Sequence, residues 1–337
     1  MAIKDWPGGV ISKTAVVPSG PYQDGAASGV WGLAQAADYT KQGIWPIPGN
    51  SPVTAIWAKG VISSLNLASG GTATDFGDMY DTDSAGNGGA SSATRGLFAG
   101  GRKNGSANAL IQYLTIATTG TCLSFGNLTV GGEGKGGLSN GSRAVFAGGD
   151  TSSGRTNVID YVTIVTTGNA TDFGDMTVGR EYCPGLASTT RGVFGNGTSN
   201  AGSLVNTIDY ITISSTGNAI DFGDTLSVGG KTAGGSNSTR GLFSSGYVSG
   251  WATSNVIQYI TIASTGNAID FGDMTAAGTG GSGCASATVY YASLGSSNGI
   301  NSVNIASTGN ATSFGNLAAG ANNDSQGCCS NVHGGLS

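Results

Sequence analysis

The chain has 337 residues, of which 61 are glycine and only 10% are charged, with a formal net charge of −5. Recurring β-branched and aromatic residues exclude a solvated disordered polymer, and glycine without an every-third-residue period excludes collagen. No basic stripe exists, which argues against a nucleic-acid surface. What remains is an all-β protein with many tight turns, where glycine supplies positive φ.

The N-terminus, MAIKDWPGG, lacks the apolar core of a secretory signal, so synthesis in a cytoplasm is expected. No apolar run approaches the roughly 20 residues of a membrane helix, so no membrane insertion is expected. The five cysteines, Cys122, Cys183, Cys284, Cys328 and Cys329, show neither a CxxC pair nor metal-like spacing and read as small buried thiols.

Residues 1–48 stand apart as a turn-rich leader. Within it, Leu33 to Gln42 is alanine-rich and closed by Gly43 with Pro46 beyond, which predicts a short helix. Trp31 and Trp45 bracket that helix, and a segment so short cannot bury two indoles alone. It is expected to pack on another surface.

From residue 49 onward the chain repeats. A Phe-Gly phrase recurs at Phe76, Phe125, Phe173, Phe222, Phe271 and Phe314, and subtracting neighbours gives steps of 49, 48, 49, 49 and 43 residues. Each copy has the same order of parts. A small-residue stretch leads into an arginine-started apolar strand at Arg95, Arg143, Arg191 and Arg240, with degenerate copies at Thr54 and Thr288. A variable glycine-rich loop follows, then an alternating strand such as Ile208-Asp-Tyr-Ile-Thr-Ile213. The Ser-Thr-Gly-Asn-Ala turn and the Phe-Gly strand close the unit.

Four strands in about 49 residues is the size of a propeller blade, and six Phe-Gly strands predict six blades over residues 49–337. A ring closes on itself, whereas a solenoid would need polar caps. The innermost strand should carry small residues, and Ser91, Ser139, Ala187, Ser236 and Cys284 stand four places before each arginine-equivalent. The phrase Gly327 to Gly334 matches Gly185 to Gly192 and places Cys329 in that column, so the tail is expected to supply the first blade's inner strand. Residues 49–53 are the rival for that place.

This unit resembles a kelch repeat. Phe98-Ala-Gly-Gly101 and Phe146-Ala-Gly-Gly149 match the family's glycine pair, and Phe173-Gly-Asp-Met176 stands where it has a tryptophan-to-methionine segment. The leader phrase Ala27-Ser-Gly-Val-Trp31 with Trp45-Pro46, and the repeated Ser-Thr-Gly-Asn-Ala-x-Asp-Phe-Gly-Asp, resemble structural proteins of tailed bacteriophages of aquatic and cyanobacterial hosts. That resemblance implies a virion protein, multi-copy or homo-oligomeric on the particle. Residues 1–48 would be its attachment arm to other virion proteins, with Trp6, Trp31, Leu33 and Trp45 as docking residues. A tail fibre or appendage contacting host-surface glycan leads, with a capsid decoration protein and a free lectin as alternatives.

Catalysis has thin support. The single histidine, His333, argues against Ser-His-Asp triads and against a copper-radical oxidase of the kelch type, which needs two histidines. Neither an enzyme nor a cofactor is expected. One arginine per repeat at a fixed register reads as a strand-start hydrogen bond or an inter-blade ion pair. The aspartate pairs Asp75/Asp78, Asp172/Asp175, Asp221/Asp224 and Asp270/Asp273 are replaced by Ser124/Asn127 and Ser313/Asn316 in two copies, which fits a turn acceptor better than a calcium ligand. Recognition should lie in the variable loops, where Tyr247 and Trp251 either stack on a sugar or pack on their own loop.

Overall fold

The alternating phrase forms each blade's third strand, but its burial is not a simple alternation. In Leu110–Thr115 the neighbours Ile111 and Gln112 are both buried and Thr115 is exposed. Such a pattern requires cover on both faces of the sheet, which is what adjacent blades supply. A computed structural model describes residues 54–81, 85–295, 297–318 and 327–332. These form a six-bladed β-propeller of four-stranded antiparallel blades.

From axis to rim, blade 2 consists of Ala85–Ser91, Arg95–Lys103, Leu110–Thr115 and Leu123–Asn127. Blade 3 is Gly136–Ser139, Arg143–Ala147, Val158–Thr163 and Thr171–Asp175. Blade 4 is Gly185–Ala187, Arg191–Gly195, Val205–Thr212 and Ile220–Gly229. Blade 5 is Ala233–Ser236, Arg240–Ser244, Ala252–Thr261 and Ile269–Gly278. Blade 6 is Gly283–Ala285, Val289–Ser293, Gly299–Asn304 and Thr312–Asn316. Blade 1 combines both ends of this region, with Gly327–Ser330 inside Thr54–Lys59, Val61–Asn66 and Thr74–Asp78. Its closing strand pairs Ala55 with Ser330, Ile56 with Cys329 and Trp57 with Cys328. Residues 49–53 and the leader, with its expected helix, lie outside the described residues.

The short last step of the repeat has a simple cause. In blade 5 a hairpin of Tyr247–Val248 against Ala252–Thr253 intervenes between the second and third strands. Blade 6 dispenses with it, so Ser293 pairs with Ile300 where blade 5 pairs Ser244 with Ile257.

Two columns expected from sequence shift by one residue. Val289 pairs with Asn304 as Arg240 pairs with Thr261, so Val289 rather than Thr288 is the arginine-equivalent of blade 6. The Asn331 amide donates to Thr54 O as the Ser188 amide does to Arg191 O, which puts Ser330, not Cys329, beside Ala187, and likewise Ala285 rather than Cys284. Both shifts follow from the turn before the second strand, whose capping residue sets the register; in blade 6 this is Ser286, whose Oγ accepts from the Val289 amide. The corrected column forms a belt around the axis. Ser91 Oγ donates to Ser330 O, Ser139 Oγ to Ser91 O, Ser236 Oγ to Ala187 O, and Ser330 Oγ to Ala285 O, at 2.5–3.0 Å.

The core lies in the seams. Leu138, Val145, Ile159 and Phe173 of blade 3 pack with Phe194, Ile211 and Ile213 of blade 4, and equivalent clusters join blades 1 and 2, 2 and 3, 4 and 5, and 5 and 6. At the outer rim each turn docks on the preceding blade. The Gly217 amide donates to Phe173 O at 2.7 Å, Ala219 to Asp175 O at 2.8 Å, and Asn218 Oδ1 accepts from the Asp175 amide at 3.0 Å. A Cβ at Gly174 would stand 2.5 Å from Gly217 O, so only glycine admits this contact. Between blades 6 and 1 a parallel pairing of Gly71–Thr72 with Gly315–Asn316 does the same work.

Deleting residues 327–337 removes the inner strand of blade 1 and bares the hydrogen-bonding edge of its second strand. The melting temperature is expected to fall by about 10 °C or more, measured by calorimetry; an unchanged transition would contradict closure by this strand.

Candidate functional site on the rim and at the axial mouth

The repeated polar residues are engaged in holding blades together. Arg95, Arg143, Arg191 and Arg240 lie over Tyr113, Tyr161, Tyr210 and Tyr259 of their own blades, 4.2–4.5 Å from the ring centroids. Each donates Nη1 to a carbonyl of the next blade, Ile164, Ile213, Ile262 or Ile305, at 2.7–2.9 Å. The partner is thus a neutral carbonyl across the seam, not the acid of an ion pair. Blade 6 has Val289 and Ser302 in place of arginine and tyrosine, and there the Tyr291 hydroxyl donates to Leu67 O at 3.1 Å. The aspartate pairs are turn elements: Asp75 and Asp172 accept from the amides of Gly77 and Gly174 at 3.0 and 3.1 Å. Among the described residues no three or more histidines, cysteines or carboxylates gather as metal ligands.

A second column escaped the sequence reading. The polar residue at the start of each third strand is buried and holds the loop that leads into its own blade. Asp160 accepts from the Thr129 hydroxyl at 2.6 Å, Asp209 from Thr177 at 2.6 Å, and Asn301 from Thr275 at 2.7 Å. Gln112 and Gln258 accept the amides of Asp81 and Leu226. In blade 4 the loop adds Arg180, fully buried and 2.8 Å from Asp209. The signal for this column was in the sequence, as a Gln, Asp or Asn directly after an isoleucine in five strands.

At one mouth of the axial channel Gly86, Gly134 and Gly280 take φ of 72–73°, and Tyr182 and Lys231 hold the same conformation at 54° and 51°. A left-handed backbone costs a non-glycine residue on the order of 1 kcal/mol. Both side chains have partners that offset it. The Tyr182 hydroxyl donates to Glu133 Oε1 at 2.6 Å, and Lys231 Nζ lies 4.7 Å over the Tyr182 ring. Glu133 also pairs with Arg102, and Arg155 with Glu181 at 2.7 Å, so the rim of blades 2–4 carries a linked set of charges. Burial raises the Glu181 carboxyl although Arg155 opposes it.

Lys135 backs this mouth. It is buried, its Nζ has no hydrogen-bond partner, and burial pulls its pKa down to about 8 against the attraction of Asp160. Asp160 is shifted upward, again chiefly by burial.

Of the residues singled out from sequence, Trp6, Trp31, Leu33 and Trp45 lie outside the described residues. Tyr247 and Trp251 meet edge to face, with centroids 5.3 Å apart and planes at 73°. Trp251 is nevertheless 53% exposed, in a short turn at Ser249–Trp251 with Gly250 at φ 74°. Tyr247 also lines a groove with Asn196, Leu226, Gln258 and Asp270 between blades 4 and 5. No protein-family model matches this chain, and no curated protein matches it either.

The depressed lysine sets a pH dependence. Between pH 8 and about 10.5 the unfolded chain holds a proton at this amine that the folded chain has lost, so the term raises stability as pH rises. Compared with Lys135→Met, the wild type should gain on the order of 2–3 kcal/mol between pH 7 and pH 10.5. Urea unfolding of both proteins across this range measures it; a pH-independent difference would show that the amine titrates normally.

Proposed function

We propose that the protein is a non-enzymatic structural component of a tailed-bacteriophage virion. The propeller is displayed on the particle as part of a tail fibre or tail-associated appendage. Residues 1–48 are the arm that joins it to other virion proteins, with Trp6, Trp31, Leu33 and Trp45 at the docking surface. The observation that carries this reading is the repeated Ser-Thr-Gly-Asn-Ala-x-Asp-Phe-Gly-Asp phrase, together with the leader phrase around Trp31 and Trp45. Their likeness to phage structural proteins supports a role within an assembly.

The division of labour in the repeats supports display. Arginine, aspartate and asparagine at fixed registers are engaged at the seams, while the blades differ in the loops after the second strand. Variable loops on a rigid scaffold suit surface recognition. Trp251 offers a half-exposed indole face beside Tyr247, which matches the apolar face of a pyranose in a host-surface glycan. The same pair supports a second reading, a free carbohydrate-binding lectin, and a decoration protein on the capsid would use the scaffold in the same way.

Mass spectrometry of purified particles tests the assignment. Peptides from the chain should appear in many copies per particle, and immunogold labelling should place them on the tail. Absence from particles would contradict the virion role and leave the lectin; label on the head would favour decoration. Trp251→Ala should weaken adsorption to host cells about tenfold or more with no change in melting temperature. Unchanged adsorption would remove Trp251 from host contact.

A further inference from the structure

The seam between blades 6 and 1 is where the chain closes its ring, and three of the five cysteines gather at it. Cys328 and Cys329 sit in the closing strand and Cys284 in the inner strand of blade 6. Elsewhere the place of Cys328 is taken by glycine, as the cross-strand pairs Gly89–Phe98, Gly137–Phe146, Gly185–Phe194 and Gly234–Phe243 show beside Cys328–Trp57. A side chain in this column points at the preceding blade: a Cβ on Gly137 or Gly185 would lie 2.4 Å from the carbonyl of the strand before it. The column of Cys284 points the other way, toward the following blade, as Leu138 reaches Gly192 and Leu186 reaches Gly241.

The two directions bring the Cys284 and Cys328 side chains into one seam; at the equivalent places in blades 3 and 4, a Cβ on Gly185 would lie 3.0 Å from Leu138 Cβ. Ser330 Oγ on Ala285 O, 3.0 Å, fixes the register of the two strands next to them. Cys329, one residue on from Cys328, faces blade 2, with its Sγ against Gly96. Cys328 is partly exposed and lines the axial channel, which gives a small oxidant a route to it.

We infer that Cys284 and Cys328 are a site of oxidative modification, forming a disulfide that turns the non-covalent closure of the propeller into a covalent one. The oxidant is a low-molecular-weight disulfide. The Cys328 thiolate attacks one of its sulfurs and expels a thiolate, leaving a mixed disulfide. The Cys284 thiolate then attacks the Cys328 sulfur and expels the second. Two protons leave the cysteines, two electrons pass to the oxidant, and one protein disulfide and two small thiols result. Burial holds Cys328 well above the ordinary thiol range, and the neighbouring Cys284 and Cys329 push it in the same direction. The reduced pair therefore persists until an oxidant and enough base are supplied.

The test uses the full chain and oxidised glutathione at pH 8.5. Chymotrypsin cuts after Tyr290 and Leu317 and so separates the peptide of Cys284 from that of Cys328 and Cys329. The expected product is a cross-linked peptide joining Cys284 to Cys328, with a melting temperature raised by about 5 °C or more and restored by dithiothreitol. Cys329→Ser should keep the link and the shift, and Cys328→Ser should lose both. Should Cys328→Ser fail to fold, the wild-type map still decides. No cross-link, a cross-link through Cys329, or a cross-link without a rise in melting temperature would overturn the inference.

Discussion

Each blade of this propeller is apolar on both faces, and the contact between neighbouring blades is the constraint from which the rest of the architecture follows. The inner strand of one blade meets the second strand of the next, and the two positions trade volume. Leu138 lies against Gly192, Leu186 against Gly241, and Cys329 against Gly96, each close enough that a Cβ on the glycine would stand 2.5–2.9 Å away. Between blades 5 and 6 the trade is reversed. Gly235 makes room for Tyr290, which is buried with its hydroxyl 2.8 Å from Ser244 Oγ. Burying one leucine contributes roughly 1.5–3 kcal/mol, so an open seam would bare a large share of the core. A chain built this way has to close.

The polar residues follow the same logic. With so few charges the protein relies on neutral hydrogen bonds and on arginines that stack on tyrosine while bonding a carbonyl across a seam. Only where the lead-in loops must be held inside does it bury charge, and there the partners differ. Arg180 reaches Asp209, whereas Lys135 and Asp160 attract one another without a hydrogen bond from Nζ. Breaking one partner of a buried pair typically costs 3–5 kcal/mol. The two blades therefore solve one problem with unequal economy, and blade 3 keeps an under-satisfied amine behind the axial mouth.

Much of this was legible in the residues. The step of the Phe-Gly phrase and the count of its copies indicated six four-stranded units, because a turn that docks on the neighbouring blade must recur with the blade. Registers were less legible at the two ends of the ring. Tyr290 stands where other blades have glycine or alanine, and Ser330 hides beside two cysteines, so matching by small residues slipped by one. The structural work of Asp160, Asp209 and Asn301 was invisible because it depends on a loop some 26–32 residues earlier in the chain. Tyr182 and Lys231 gave no local sign that they sit in a glycine conformation. Trp251 was legible as a loop aromatic, and its half-exposure came only with the fold.

A repeated scaffold with variable loops after its second strands separates the seam contacts from those loops, as the proposed display role would require. The separation holds only if the ring is one cooperative unit, with its last strand as firmly bound as the others. Native-state hydrogen exchange of the amides in Gly327–Asn331 and in Val145–Ala147 tests this most directly. If the ring is closed by its tail, both sets exchange only through global unfolding and show the same opening free energy. Exchange of the closing strand through a far smaller opening free energy, with blade 3 still protected, would contradict the account.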